Sequence, residues 1–173
     1  MAPDYTIRSG RLEETFVYQE IERRAAQRFR AIGMAEIAEG RPTASSDLAD
    51  HLRDGRLFVA AADAPVGFIL YRPVDTSAYI EELDVLPEHA GRGIGAALIG
   101  RVAEAAVEAG LSTLLLSTFR DVPWNAPYYE RIGFRVLDEE ALSPAMRKIR
   151  DEHIAKGLDE SRRVFMRRRL GKL

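Results

Sequence analysis

The stretch Val85-Leu-Pro-Glu-His-Ala-Gly-Arg-Gly-Ile-Gly95 decides how this chain is interpreted. An apolar strand leads into it, and a helix with apolar residues at helical spacing, from Ile94 to Ala106, follows its glycines. Glycine lets the main chain approach a ligand closely, and the first N–H groups of a helix have no partners within the helix. Several such groups at the positive end of a helix form a phosphate-binding site. The stretch therefore predicts a phosphate-containing ligand, and glycines that only turn the chain are the alternative.

These glycines match two common phosphate-binding motifs only in part. A P-loop needs Lys and Ser/Thr after its second glycine, and here Arg101 and Val102 stand there. Gly91–Ala96 fits the dinucleotide pattern Gly-x-Gly-x-x-Ala, but Pro87–Ala90 separates it from its strand. The next strand also ends at Thr118 and not at an acidic residue. A nucleotide-binding enzyme that uses this pattern stays open as an alternative.

Composition narrows the class of protein. The 173 residues suit one domain over 1–173, with 46% apolar and 30% charged residues. Lys and Arg total 25 against 27 Asp and Glu, a net charge of -2, which argues against nucleic acid as the main partner. There is no cysteine, and the three histidines are scattered, so we expect no metal site and no thiol nucleophile. No apolar run is long enough for a membrane span and no signal peptide is evident, so we expect a cytoplasmic protein without a membrane partner.

Hydrophobic periodicity predicts a mixed sheet with helices packed against it. The first helix, 16–29, is expected to turn a polar face that includes Glu22 and Arg28 outward. Short gaps between the next strands favour antiparallel hairpins, whereas the strand over 111–117 follows a helix and can lie parallel to the strand over 78–85. The predicted elements are a strand over 5–8, helices over 16–29 and around 48–52, strands over 56–60, 66–71 and 78–85, a helix over 94–106, a strand over 111–117, a helix over 128–132, a strand from 134, a helix over 146–154 and a strand over 163–168.

Two motifs resemble the GNAT superfamily of acetyl-CoA-dependent N-acetyltransferases. Its acyl-CoA motif is Arg/Gln-x-x-Gly-x-Gly/Ala, and Gly93 and Gly95 match the glycines while Ala90 replaces the first residue. Asn125 to Phe134, Asn-Ala-Pro-Tyr-Tyr-Glu-Arg-Ile-Gly-Phe, resembles the later motif of the family. The resemblance implies an α+β acyl-CoA N-acyltransferase fold, with a central, mixed, mostly antiparallel sheet of about seven strands.

The resemblance also implies a donor site for acetyl-CoA. Main-chain groups near Leu83 would bind the oxyanion and, with their neighbours, pair with the pantetheine arm; Asn125 would bond the pantetheine or phosphate region. The residues implied in cofactor binding are Leu83, Asp84, Val85, Ala90, Gly91, Arg92, Gly93, Ile94, Gly95, Ala96, Asn125 and Tyr129.

Acetyl transfer to an amine needs a base for the amine proton and an acid for the departing thiolate. Glu81 shares the strand face of Leu83 and Val85, and the resemblance implies a carboxylate at a comparable position, so Glu81 is the predicted general base. Glu82 and a water chain are the alternatives to Glu81 as the group that accepts the amine proton. Tyr129 aligns with the family tyrosine that serves as the acid. Without cysteine, direct attack in a ternary complex is the simplest route.

The acceptor is expected to be an amine of a small molecule or a protein, facing the first two helices and the segment 142–154. The resemblance implies that a homodimer can form. The main alternative to an enzyme is a non-catalytic acyl-CoA-binding sensor or interaction module that keeps the glycine loop.

Overall fold

The computed structural model describes residues 3–171. The strands are β1 Thr6–Ser9, β2 Leu57–Ala61, β3 Pro65–Val74, β4 Ser77–Val85, β5 Thr113–Phe119, β6 Arg135–Val136 and β7 Arg163–Arg169. The α-helices are α1 Thr15–Ala26, α2 Ala35–Ala38, α3 Ser45–Arg53, α4 Ile94–Glu108, α5 Ala126–Arg131 and α6 Pro144–Ala155.

Within the described residues the strands form a seven-stranded sheet in the order β1-β2-β3-β4-β5-β7-β6. The pairs β1–β2, β2–β3, β5–β7 and β6–β7 are antiparallel. Strands β4 and β5 pair in parallel, from Ser77 with Thr113 to Ile80 with Leu116. The predicted fold class, a mixed and mostly antiparallel sheet flanked by helices, is confirmed.

Some predicted element boundaries are wrong for local reasons. Helix α1 ends at Ala26, and the chain continues as a 3₁₀ helix that contains the buried Phe29. Strand β5 begins at Thr113 and not at residue 111, because the Leu111 N–H donates to Ala106 O (2.8 Å) and closes the end of α4. The short helix α2 was not evident from periodicity, since one turn carries too little pattern.

The chain divides into two compact units. The first unit contains the residues up to Tyr71 together with Glu82–Val102. Helix α1 packs on β2 and β3 there because its apolar stripe, Tyr18 and Ile21, meets buried strand residues. This core consists of Tyr18, Ile21, Leu48, Leu57, Val59, Ala61, Phe68 and Leu70, with Val17, Leu52 and Leu86 packed against it.

The second unit contains Arg72–Glu81 and the residues from Ala103 onward. Helix α6 begins where Ser143 Oγ accepts a hydrogen bond from Met146 N (3.2 Å), and its apolar face covers the first half of β4 together with β5 and β7. The core of this unit is formed by Val74, Tyr79, Leu115, Leu142, Met146, Ile149 and Phe165. Over residues 3–171, no helix has the length and apolar character that crossing a membrane requires.

Candidate functional site

The glycine loop of the first unit is shaped for close approach to its main chain. Gly91 and Gly93 have φ of 74° and 77°, a conformation that other residues adopt only with strain. A Cβ atom placed on either glycine would have no atom within 4 Å, so the loop faces open space. Helix α4 follows, anchored by the buried Ile94. A ligand can therefore reach the main chain here.

The start of α4 supplies donors for such a ligand. The Ala97 N–H bonds to Gly93 O (3.0 Å) as the first hydrogen bond of the helix. The amides of Ile94, Gly95 and Ala96 precede that bond, as expected for the first turn of any helix. A helix of this length also concentrates positive potential at its first turn. The loop can thus hold an anionic group such as a diphosphate.

Ion pairs fix the charged side chains of this loop. The guanidinium of Arg92 pairs with the Asp4 carboxylate, and its Nη1 lies 2.9 Å from His89 Nδ1. The hydrogen bond that Arg92 donates to the Asp4 carboxylate holds the pKa of Asp4 below its ordinary value. On the other side of the loop, Arg24 in α1 donates to both Glu88 carboxylate oxygens at 2.9 Å. Arg92, expected to contact the ligand, already has a carboxylate partner.

The end of β4 approaches β3 closely at a glycine. A Cβ on Gly67 would lie 2.9 Å from Asp84 O, and the Leu86 N–H donates to Val66 O (2.8 Å). The β4–β5 register ends at Ile80, before β4 itself ends at Val85. Leu83 to Val85, whose main chain is predicted to pair with the pantetheine arm, follow the last residue of β4 that is paired with β5.

A group of carboxylates in the first unit was not predicted as a group. The Glu82 and Asp84 carboxyls are in hydrogen-bonding contact, and Glu22 of α1 interacts electrostatically with both. Glu22 is half-buried, so the expectation that it points outward is wrong: the Thr43 N–H donates to its Oε1 (3.0 Å) and Oε2 (2.9 Å). The glutamate's position on a polar helix face gave no sign of this contact.

Glu81, the predicted base, lies in the second unit. Its Oε1 is 2.7 Å from Arg72 Nε, and Arg72 Nη2 is 3.5 Å from Glu152 Oε2. The Arg72 guanidinium also lies over the Tyr79 ring at 5.6 Å from its centroid. Arginine therefore orients the Glu81 carboxylate and links β4 to α6.

Next to this pair lies a buried hydrogen-bonded chain. Tyr79 Oη is 3.5 Å from His153 Nε2, and His153 Nδ1 is 2.7 Å from Glu160 Oε1. Burial lowers the pKa of His153 to about 4, with Arg163 adding to the effect, and burial raises the pKa of Glu160. The imidazole is therefore neutral at pH 7 and can donate from Nδ1 to Glu160 while Nε2 accepts from Tyr79. His153 did not stand out in the sequence.

The later motif forms a turn of helix with two notable side chains. Asn125 precedes α5, and its Oδ1 is buried without a hydrogen-bond partner in the described structure. Tyr129 is 9% exposed, and its ring packs on Tyr128 (5.3 Å between centroids) and Phe134 (5.6 Å). An unpartnered buried amide oxygen usually indicates a missing donor. Here a ligand N–H can supply it.

A depression of about 340 Å³ in the second unit contains none of the predicted site residues. Its charges largely pair with one another: Arg150 lies 2.7 Å from Glu139 and Arg163 lies 3.3 Å from Glu160. It is lined by Arg120, Glu139, Arg150, Glu160, Ser161 and Arg163. We interpret it as an ion-pair network of the fold.

The predicted site residues thus fall into two sets. Leu83–Val85 and Ala90–Ala96 lie in the first unit, whereas Glu81, Asn125 and Tyr129 lie in the second. Their roles stay predictions.

Comparison with known proteins identifies the family. The family model of the acetyltransferase (GNAT) family matches residues 17–134, a span that includes the glycine loop and the later motif. The chain belongs to this GNAT family. Pig (Sus scrofa) thialysine N-epsilon-acetyltransferase is 38% identical to this GNAT chain over 64 residues, 35% of this chain and 36% of that protein. An uncharacterized N-acetyltransferase of Bacillus subtilis, YjcF, is 29% identical over 84 residues, 49% of this chain and 58% of that protein.

Solved structures share the GNAT fold over nearly the whole chain. N-acetylglutamate synthase of Neisseria gonorrhoeae, complexed with coenzyme A and N-acetyl-glutamate, has a TM-score of 0.74 at 15% identity and covers 99% of this chain and 36% of its own. The PaiA N-acetyltransferase of Thermoplasma acidophilum, in complex with coenzyme A, has a TM-score of 0.69 at 18% identity and covers 95% of this chain and 98% of its own. At such identities the likeness shows the fold. The matches with the two relatives span only about a third to just over half of those relatives' own lengths.

Proposed function

We propose that this chain transfers the acetyl group of acetyl-CoA to a primary amine by direct attack in a ternary complex. The observation that carries the proposal is the pair of positive-φ glycines, Gly91 and Gly93, which face open space at the start of α4 in a GNAT chain. The names of the relatives, a thialysine N-epsilon-acetyltransferase and an N-acetyltransferase, support an amine acceptor.

The donor site is proposed from main-chain groups of the first unit. The amides of Ile94, Gly95 and Ala96 suit the diphosphate of CoA, since they point out of the first turn of a helix. Arg92 is paired with Asp4, so its contribution to phosphate binding requires that pair to open. Ala90, in place of the usual Arg or Gln of the motif, leaves these amides unchanged.

Two further groups would complete the donor site. The main chain of Leu83–Val85, beyond the β4–β5 register, suits pairing with the pantetheine arm. In the second unit, the buried and unpartnered Oδ1 of Asn125 suits a donor such as a pantetheine amide. Both inferences rest on the family resemblance as well as on these contacts.

The proposed chemistry uses one base and one acid. The amine nitrogen attacks the thioester carbonyl, and the Glu81 carboxylate takes the amine proton. Arg72 holds Glu81 through a 2.7 Å ion pair and so fixes its direction. The C–S bond then breaks, and the Tyr129 hydroxyl donates its proton to the departing thiolate. Glu82 stays the alternative base because it belongs to the neighbouring carboxylate group.

A direct test combines a binding and a turnover measurement. The full chain is mixed with acetyl-CoA and a panel of primary amines, and release of free thiol is followed, with acetylated product confirmed by mass spectrometry. Thermal shifts with CoA, NAD and ATP are measured in parallel, because a ligand that prefers the folded state raises the melting temperature. We expect stabilisation by CoA and thiol release with at least one amine.

Two results would contradict the proposal in different ways. CoA binding without turnover on any amine would support the acyl-CoA-binding sensor. Stabilisation by NAD or ATP but not by CoA would support the nucleotide-binding alternative.

A further inference from the structure

The depression in the second unit carries an excess of positive charge. Its lining places three guanidinium groups and two carboxylates around a volume of about 340 Å³. Arg147 and Asp159 add one charge of each sign at its edge, where Arg147 Nη2 donates to Glu139 O (3.1 Å) and Asp159 accepts from the Ser161 hydroxyl (2.5 Å). The chain as a whole has a net charge of -2, so the excess is local. We call Arg120, Glu139, Arg150, Glu160, Ser161 and Arg163 the arginine depression.

The charge of Glu139 is matched by its neighbours. Arg150 donates from Nη1 to Oε1 (2.7 Å) and from Nη2 to Oε2 (2.8 Å), a bidentate pair. Arg147 Nη1 adds a longer contact of 3.4 Å to Oε1. The hydrogen bonds from Arg150 hold the pKa of Glu139 below its ordinary value. Glu139 is therefore ionised at pH 7, and its charge is neutralised within the depression.

Glu160 and Arg163 form a fixed part of the wall. Glu160 Oε1 lies 3.3 Å from Arg163 Nε and 2.7 Å from His153 Nδ1, and the Glu160 side chain is only 9% exposed. Arg163 Nη2 donates to Ser117 O (2.9 Å), which ties the start of β7 to β5. Burial raises the pKa of Glu160, and Arg163 and Arg150 oppose that shift. This carboxylate is thus held by the protein and does not extend into the open volume.

Arg120 is the guanidinium that remains outside the ion pairs. It follows β5 directly, and its main-chain N–H donates to Arg162 O (2.9 Å), which fixes its backbone beside the residue before β7. Its side chain is exposed, and within residues 3–171 its guanidinium makes no hydrogen bond or ion pair. A guanidinium presents a planar fork of N–H donors that matches the two oxygens of a carboxylate. The arginine depression therefore offers one unused fork.

Size and charge favour a small monoanion as the ligand. A volume of about 340 Å³ lies at the lower end of the range for small-molecule pockets, about 300–1,000 Å³. The lining exceeds neutrality by one positive charge, which a single carboxylate neutralises. A phosphate ester carries about 1.5 to 2 negative charges and would exceed it. A carboxylate of a small molecule is thus the better match.

A chain of contacts connects the depression with the strand of the predicted base. His153, which donates to Glu160, has its Nε2 at 3.5 Å from Tyr79 Oη. Tyr79 and Glu81 share one face of β4 because side chains alternate along a strand. Arg72 lies over the Tyr79 ring and binds Glu81 at 2.7 Å. The depression and Glu81 therefore belong to one network within the second unit.

We propose that the arginine depression binds the carboxylate of a small molecule through Arg120, and that this molecule is the acceptor, an amine that also carries a carboxylate. The identity of the bound molecule as the acceptor rests on the proposed function, whereas the carboxylate site itself does not. Arg150 and Arg163 supply positive potential around the site. An amine without a carboxylate leaves the Arg120 fork unmatched and binds less tightly.

The site is tested by NMR titration of the full chain at pH 7 without acetyl-CoA. The probes are 5-aminopentanoate and pentanoate, with pentylamine as the analogue that lacks the carboxylate and inorganic phosphate as the competing anion. Backbone amide and arginine Nε–H signals are followed for wild type, Arg120→Gln and the control Arg53→Gln. Arg53 is an exposed arginine of α3 that pairs with Asp50 in the first unit, so its replacement changes the net charge equally.

We expect both carboxylates to bind and to shift the signals of the arginine depression, and pentylamine not to bind. Arg120→Gln should weaken carboxylate binding about tenfold, as for loss of a charged hydrogen-bond partner, and Arg53→Gln should leave it unchanged. The absence of saturable carboxylate binding, equal affinity in wild type and Arg120→Gln, or phosphate that binds more tightly than the carboxylates would overturn the proposal. Should Arg120→Gln fail to fold, Arg120→Lys decides, because it keeps the charge, loses the planar fork and is also expected to weaken binding.

Acetyl transfer distinguishes this proposal from the proposed function. With acetyl-CoA, kcat/KM for 5-aminopentanoate should exceed that for pentylamine about tenfold, and Arg120→Gln should lose this preference while Arg53→Gln keeps it. If carboxylates bind through Arg120 and no amine is acetylated, the carboxylate site stands and the enzyme proposal fails. If amines are acetylated without any preference for those that carry a carboxylate, the enzyme proposal stands and the depression is not part of the acceptor site.

Discussion

Arg72 holds the carboxylate of Glu81, with 2.7 Å between Arg72 Nε and Glu81 Oε1. The neighbouring Glu82 instead contacts Asp84, so adjacent glutamates of one strand belong to different networks. Alternation of side chains along a strand explains this separation. Because the two glutamates lie in separate networks, replacing Glu81 or Glu82 singly can show which of them is the base.

Replacement of Glu81 tests its assignment as the base. Glu81→Gln keeps the side-chain shape but cannot accept the amine proton, so we expect kcat to fall by about 10²- to 10⁴-fold, the range of general-base contributions. CoA affinity should stay unchanged in a thermal-shift titration. A Glu81→Gln variant that retains the wild-type kcat would exclude Glu81 as the base. A slow Glu82→Gln would then assign the role to Glu82, and a wild-type rate of that variant would favour a water chain.

Replacement of the Tyr129 hydroxyl tests the acid. The ring packs on Phe134, and phenylalanine preserves that contact, so Tyr129→Phe should remain folded. We expect kcat to fall roughly 10²-fold because the departing thiolate loses its proton donor. The matched control is Tyr128→Phe, whose half-buried hydroxyl has no proposed role, and single-turnover measurements of product formation compare the two. Equal rates for both variants would remove Tyr129 from the chemistry.

The glycine loop can be tested with two glycines of the same helix region. Gly93 has φ of 77°, so Gly93→Ala should destabilise the fold by about 1–2 kcal/mol and narrow the space in front of the α4 amides. We expect CoA binding to weaken roughly tenfold, which corresponds to about 1.4 kcal/mol.

Gly100→Ala is the control, because Gly100 lies inside α4 and a Cβ there meets no atom within 4 Å. This change should stabilise the helix by about 0.5–1 kcal/mol and leave CoA affinity as in wild type. Urea unfolding and CoA titration of both variants give the comparison. Wild-type CoA binding by Gly93→Ala would argue against a diphosphate at this loop.

The elements were predictable wherever local patterns were strong. The apolar stripe that includes Leu98 and Val102 predicted α4, and Gly110 marked its end. The helix between the two strands indicated that β4 and β5 could pair in parallel, as they do. What the sequence did not reveal are contacts between residues far apart in it. Asp4 meets Arg92 across 88 positions, and no local periodicity encodes such a pair.

The burial of Glu22 was hidden for the same reason. Glu22 has the helical position of an ordinary surface residue, and the Thr43 N–H that binds its carboxylate comes from the loop before α3, 21 positions away. Helix periodicity predicts which face is apolar, but not which polar residue at its border becomes buried.

The half-buried carboxyl of Glu22 predicts how stability depends on pH. Its pKa is raised from an ordinary 4.5 to about 8, so the folded chain holds a proton that the unfolded chain releases between those values. Stability should therefore fall as the pH rises from about 4.5 to 8, by at most about 1.4 kcal/mol per pH unit for one group. Asp84, with a pKa of about 7, contributes in the same direction, while Arg23 and Arg28 limit the effect.

Urea unfolding at pH 5, 6.5 and 8 measures this dependence. Glu22→Gln cannot ionise, and its amide oxygen can still accept from Thr43, so it should lose less stability than wild type between pH 5 and 8. Glu36→Gln, an exposed change, should follow the wild-type curve. Parallel curves for wild type and Glu22→Gln would show that Glu22 is charged throughout this range, because a group that does not titrate on unfolding adds no slope.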